Sequence, residues 1–549
     1  MKFKLFLFAF AAIGSLFSLT ALAQTYAITN AKIVTVSGEN IEKGTVVIRD
    51  GLIEAVGANV KTPADARVFD ANGLTVYPGF IDTLTSQGLP SAPAQAPRQP
   101  GGGPQIPQQT APTSNSNYPD GLQPEKTAFD DLKAGEAQFE ATRNAGFTTV
   151  LTVGRTGIFN GQSAIIDLAG DSVSAMTVKS PFAQHVSFTT LRGLGYPNSL
   201  LGTFSAFRQM LLDAKRLQEL EKMYQANPKG MKRPDSDKSL EALFPVINGT
   251  MPVVFNANNE NEIVRALNLA KEFNLKAIIA GGQESWKVSD RLKKQNVPVL
   301  LSLNFPKRTA SASPEADPET LEILRFRAET PKTASKLAVA GVPFAFQTGG
   351  GTTSDYFANA LKSVENGLSK ESALKAMTLG AAQILGVSDR LGSIEAGKIA
   401  NLTVVKGDLF GKEKTITHVF VDGKLFEQKE PPKRPEGGRN QPPPTGQPAV
   451  ANVGGNYAIT IDIPGQSLTG TLAFTQQGSQ LSGSMQTQLG NSVIKDGKVT
   501  ADGFSFSTSV QYGGSTFDIN VSGKVAGNQI SGVIDSPQGS IPFSGTKNP

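Results

Sequence analysis

Short runs of alternating apolar and polar residues open the chain, give way to longer strand–helix alternation, and return at both later boundaries. From Tyr26 to Ala71 the runs YAITNAKIVTV, GTVVIRDGLIEAVG and ARVFDA are β-branched, broken by turns, and predict a small β-sheet. The same texture recurs at 399–427 in IANLTVVKGDLFG and ITHVFVDGKLFE, so one composite sheet is expected to draw strands from both flanks, 24–77 and 388–428. Between them, TTVLTVG (148–154), MPVVFNAN (251–258), LKAIIAGG (275–282), VPVLLSLN (297–304) and VPFAFQTGG (342–350) read as strands. Helical patterns such as ENEIVRALNLAKEF and TPKTASKLAVAG sit between these runs. Strand–helix alternation over about 300 residues predicts a parallel α/β sheet closed as a (β/α)8, TIM-like barrel over 78–387.

Two compositional breaks divide the chain further. Residues 90–117, rich in Pro, Gly and Gln, have the makeup of a disordered insertion just after the first barrel strand. Residues 429–450 form a Pro-rich linker. Beyond it, 451–549 is a series of Ser/Thr-rich hairpin runs with Gly and Asn turns, expected to form an all-β sandwich or small barrel.

Composition narrows the function. With 549 residues, two to four domains are expected. The net charge of +5 is spread without a basic block, which argues against nucleic-acid binding. The N-terminus, two lysines, an apolar run and Ala-Leu-Ala before Gln24, reads as a signal peptide over 1–23, so the chain is expected to be exported, periplasmic or extracellular. No other run is long enough to span a bilayer. There are no cysteines and only two histidines, His185 and His418, so thiolate catalysis is excluded and imidazole chemistry is scarce.

The motifs YPGFIDTLTSQG (77–88), AGFTTVLTVGRTGIFNGQSAII (145–166), AKEFNLKAIIAGGQESW (270–286) and LGAAQILGVSDRLGSIEAGKIANLTVVKGD (379–408) resemble the amidohydrolase superfamily, nearest its imidazolonepropionase-like branch. The resemblance covers about residues 26–427. It implies a metal site at the C-terminal ends of the barrel strands. There, a His-X-His pair on the first strand, histidines on the fifth and sixth, and an aspartate on the eighth activate a water. Placed on this sequence, those positions fall on Leu84 and Ser86, Asn256 and Asn258, Gly281 and Gly349. Every alignable ligand position is substituted, so no metal and no cofactor are expected. The hard cations that accept neutral oxygens ordinarily also require carboxylates, and none falls there.

What remains are the catalytic candidates Asp82, Glu284 and Asp355 and a set of ligand-binding candidates. The latter are Ser86, Arg155, Asn256, Asn258, Trp286, Gln347, Gly349 and Gly350, the glycines because a Gly-rich turn before a helix can offer N–H groups to an anion. Each has a plainer reading. Asp82 is structural in this family's turn, Asp355 belongs in the first turn of a helix, Trp286 packs a helix, and His185 and His418 are packing residues. Three functions stay open: a metal-free homologue whose barrel mouth binds a small molecule or is purely structural, a C–N hydrolase with a rearranged site, and an interaction protein acting through its C-terminal domain. Homo-oligomerisation is a family-level expectation.

Overall fold

The structure is a computed structural model that describes residues 24–90, 118–191, 196–308, 319–411, 414–427 and, with short breaks, 453–547. The predicted signal peptide, nearly all of the 90–117 insertion and the linker lie outside the described residues. The chain divides into two compact units, one holding the flanking sheet and the barrel, the other the C-terminal strands.

In the first unit, one sheet runs in the order Lys424–Glu427, Thr415–Val421, Leu402–Lys406, Leu74–Pro78, Tyr26–Ile33, Ile41–Arg49, Leu52–Gly57, with Arg67–Asp70 also on Tyr26–Ile33. The two flanks meet where Leu402–Lys406 pairs antiparallel with Leu74–Pro78, Val404 opposite Val76. Ile28, Ile33, Val46, Ile48, Val76, Leu402, Val404 and Phe420 share one buried core.

Among the described residues the barrel strands lie in two sheets and follow one another in the order of eight staves. Seven run parallel: Phe80–Thr85, Phe147–Thr152, Gln184–Ser187, Val253–Ala257, Ala277–Gly281, Val299–Ser302 and Phe344–Gln347. The third, Phe159–Gln162 continued by Ala164–Asp167, runs antiparallel to both neighbours. This departs from the (β/α)8 expectation. The chain turns directly from Thr152 into Phe159 without a crossover helix, and a direct return must be antiparallel. The first and eighth strands meet through the Thr83 hydroxyl, which donates to the Phe346 carbonyl at 2.9 Å.

Side chains alternate between two cores, as the period of two on a strand requires. Val253, Phe255, Ile279, Leu301 and Phe346 point out into the helix layer. Val254, Ile278, Leu300 and Ala345 point in, above Ala381, Leu385 and Leu391. The helix Glu260–Phe273 shows how the outer layer forms. Asn259 and Glu262 make a reciprocal capping box, Ile263, Ala266, Leu267 and Ala270 form the buried stripe, and Asn274 ends it at φ 54°. Each large side chain buried there contributes about 1.5–3 kcal/mol.

The second unit is a closed ring of antiparallel strands. Gly455–Ile463 pairs with Gln466–Gln477 on one side and Gly539–Lys547 on the other, and the path returns through Gln480–Thr487 to Gln466–Gln477. Ile459, Leu472, Phe474, Phe504, Phe506, Val521, Ile530 and Phe543 fill its interior. A barrel, rather than a sandwich, is the form of the C-terminal domain.

Candidate functional site

The C-terminal ends of the barrel strands enclose a cavity of about 380 Å³. Its wall includes Leu84, Arg155, Asn160, Ser187, Asn256, Asn258, Gly281, Ser302, Gln347, Gly349 and Gly350. Strand alternation accounts for the polar floor: Asn256 lies two residues beyond inward Val254, Ser302 two beyond Leu300 and Gln347 two beyond Ala345.

The floor is internally bonded. Asn256 Nδ2 donates to Asn160 Oδ1 at 3.0 Å and to Ser187 Oγ at 2.9 Å, and Ser187 Oγ donates to Asn160 Oδ1 at 2.7 Å. Gln347 Nε2 donates to the Leu300 carbonyl at 2.6 Å, and Ser302 Oγ accepts from the Asn304 N–H at 3.2 Å. Glu262, the carboxylate on this wall, accepts the N–H groups of Asn258 and Asn259 as a helix cap.

Two of the glycines are required by space. A Cβ on Gly281 would collide with Asn258 Oδ1, and one on Gly349 with Ser302 Oγ. Gly349 and Gly350 both hold positive φ, +62° and +81°. The helix that follows, Thr353–Glu365, is capped by its own Thr352, so its first N–H groups are partly engaged.

Among the ligand-binding candidates, Arg155, Asn256, Asn258, Gln347, Gly349 and Gly350 come together on the cavity wall, whereas Ser86 and Trp286 are not part of it. Ser86 lies past the end of the strand, in the following turn, and its carbonyl accepts from the Leu89 N–H. Trp286 lies in a short 3-10 helix with Lys336 Nζ 3.2 Å above its ring.

The three carboxylate candidates are all engaged structurally. Asp82, 1% exposed, accepts from the Thr348 N–H at 3.0 Å, the Thr348 hydroxyl at 2.7 Å and the Leu84 N–H at 3.3 Å. Burial pushes its carboxyl up to about 6 despite these bonds. Glu284 accepts the Glu260 N–H at 2.8 Å and pairs with Lys287 at 2.7 Å. Asp355 bonds Lys307 at 3.1 Å and Thr352 at 2.9 Å, and the Lys307 ammonium holds its carboxyl below the usual range.

His185 is fully buried on the fourth strand, on the same face as Ser187 and one pair deeper. Neither ring nitrogen has a partner among the described residues, and burial pulls its pKa down to about 3. His418 sits in the flanking sheet with its ring 4.1 Å from that of Phe69.

Sequence reasoning missed Asn160, Ser187, Ser302 and Glu262. Ser302 ends the run VPVLL and was open to the same end-of-strand argument that found Gln347. Asn160 was not, because it begins a strand that descends from the mouth, where the barrel rule looks only to strand ends.

The fold and the family comparison agree. Residues 327–426 match the amidohydrolase family. A solved amidohydrolase from Thermotoga maritima aligns over 73% of this chain and 100% of its own, with a TM-score of 0.59 and 24% identity. A 60-residue stretch is 45% identical to the 5'-deoxyadenosine deaminase of Methanosarcina mazei, spanning 11% of this chain and only 14% of that relative. The chain resembles the amidohydrolase superfamily in sequence over its last barrel segment and shares its fold across the barrel.

The donor set can be tested against the metal that this resemblance implies. The aligned positions that reach the cavity are Leu84, Asn256, Asn258, Gly281 and Gly349: one apolar side chain, two amides and two glycines. Among the described residues no group of three or more His, Asp and Glu side chains is arranged to hold a metal ion. Asn256 turns its donor group to its neighbours, and Glu262 is a helix cap. These residues do not fit a transition-metal site.

Proposed function

We propose that this chain is an exported amidohydrolase-superfamily homologue whose barrel mouth binds a small polar molecule instead of activating water on a metal. The observation that supports this reading most directly is the hydrogen-bonded floor of Asn160, Ser187 and Asn256, which occupies the place of the fifth-strand ligand. An amide and hydroxyl lattice orients a ligand by hydrogen bonds and supplies no strong base. Export rests on the N-terminal 23 residues read as a signal peptide.

The alternative, C–N bond hydrolysis through a rearranged site, draws on the names of similar proteins, a deaminase and an amidohydrolase. It requires a carboxylate at the reacting centre. Asp82, Glu284 and Asp355 lie off the cavity wall, and each already serves a structural partner.

Elemental mass spectrometry of protein purified without chelators, and again after incubation with Zn²⁺, Mn²⁺ and Ca²⁺, tests the proposal. Metal well below one equivalent supports it. Stoichiometric metal that is lost on replacing Asn256 and Asn258 with alanine overturns it in favour of hydrolysis.

A further inference from the structure

Arg155 stands at the cavity rim, exposed, with no hydrogen bond or ion pair to any described residue. The carboxylates around it are committed elsewhere. Glu262 caps its helix, Asp355 pairs with Lys307, and Asp82 is buried against Thr348, acting on Arg155 only across space. The guanidinium lies over the turn after the eighth strand, with Nη1 3.0 Å from where a Cβ on Gly350 would stand. Any side chain there would press on it.

The floor opposite offers acceptors. Asn256 spends its amide N–H groups on Asn160 and Ser187, and Gln347 directs its own to the Leu300 carbonyl. Neither Asn256 Oδ1 nor Gln347 Oε1 has a hydrogen-bond donor among the described residues, and both side chains border the cavity. The site therefore presents one unpaired cation at the rim and two amide oxygens below.

From this polarity we infer that the ligand is a small organic carboxylate that also carries an N–H donor. Its carboxylate is held by Arg155 and its N–H by the oxygens of Asn256 and Gln347. A guanidinium presents its donors in a planar fork that matches a carboxylate. A volume of about 380 Å³ admits only a small molecule. The inference rests on the mouth being a ligand site and adds the chemistry of what it takes.

The test uses two matched probes, N-acetylglycine and N-acetylglycinamide, identical but for the charge. Binding to the full chain is followed by saturation-transfer NMR and titration calorimetry. The acid is expected to bind about tenfold or more tightly than the amide, and to weaken as salt rises. Arg155→Gln should remove that preference, weakening the acid far more than the amide, and Arg155→Lys should restore part of it. Because Arg155 is exposed, neither variant threatens the fold.

Equal affinity for acid and amide, or an acid affinity indifferent to Arg155→Gln, overturns the inference. If Asn256→Ala then abolishes both probes, the mouth remains a ligand site and only the anion is rejected. Binding of neither probe overturns the inference too, and metal found by elemental analysis in that case overturns the reading beneath it.

Discussion

Asp82 on the first barrel strand takes two hydrogen bonds from Thr348, one from its N–H and one from its hydroxyl, and so joins the first strand to the turn after the eighth. A carboxylate with these partners is a latch on the barrel seam. Asp82→Ala strands three donors, these two and the Leu84 N–H, and is expected to cost about 3 kcal/mol in chemical denaturation, with Asp82→Asn costing less. A loss under 0.5 kcal/mol in the alanine variant would show that the seam does not depend on it.

His185 gives stability a pH dependence. Its folded pKa near 3 lies below the unfolded value of 6.5, so the unfolded chain takes up a proton first as pH falls. Stability from this group is full above pH 6.5 and declines below it, by at most about 2 kcal/mol at pH 5. Asp82 and Asp167, raised to about 6 and about 7, act with the opposite sign, losing stability as pH rises through those values. The difference between wild type and His185→Leu, measured from pH 5 to 8, isolates the histidine. A difference that does not vary with pH would contradict its burial as a neutral ring.

Gly349→Ala is expected to destabilise the barrel by about 1–3 kcal/mol, since φ is +62° and the new methyl meets Ser302. A thermal shift series with Gly397→Ala, also at positive φ but with open space around it, separates the backbone contribution from the collision.

Trp286 is the sole tryptophan, and it lies outside the cavity wall beneath Lys336. Ligands of the mouth should leave its emission unchanged, whereas Lys336→Ala should alter it. Quenching by N-acetylglycine would place the binding site elsewhere.

The C-terminal strands own a separate core, so residues 451–549 expressed alone should fold and melt in one cooperative transition. Phe474→Ala, which removes a ring packed against Phe504 and Phe506, should lower that transition by about 3–5 kcal/mol in stability.

How much of this was legible beforehand follows from range. Gln347, Asn256 and Gly349 were found because a motif fixes the ends of their strands, and strand ends face the mouth. Asp82 was legible as structural for the same reason, though its partner Thr348, 266 residues away, was not. Ser86 was misplaced by the assumption that His-X-His spacing continues in a regular strand. The register slips between Asp82 and Thr85, and Leu84 and Thr85 reach the cavity while Ser86 does not. Asn160 and Ser187 could not be paired in advance, since nothing local announces that the third stave runs backwards. Trp286 went to a cation instead of the cleft because Lys336 comes from a helix the sequence does not bring near.

Among the described residues, the closed ring of the C-terminal unit leaves one short strand, Gly490–Val493, paired on one side only, with Gln480–Thr487. The other strands have neighbours on both sides, so a partner that adds a strand, or a second copy of the chain, meets only those four residues of open backbone unless the ring first opens. On that side Gln480–Thr487 is held by Gly490–Val493 and, further along, by Lys495–Val499, at Gln480 with Lys498 and Leu481 with Gly497. Whatever this unit meets, it meets through that short edge, its loops or the Ser- and Thr-bearing outer faces of its strands.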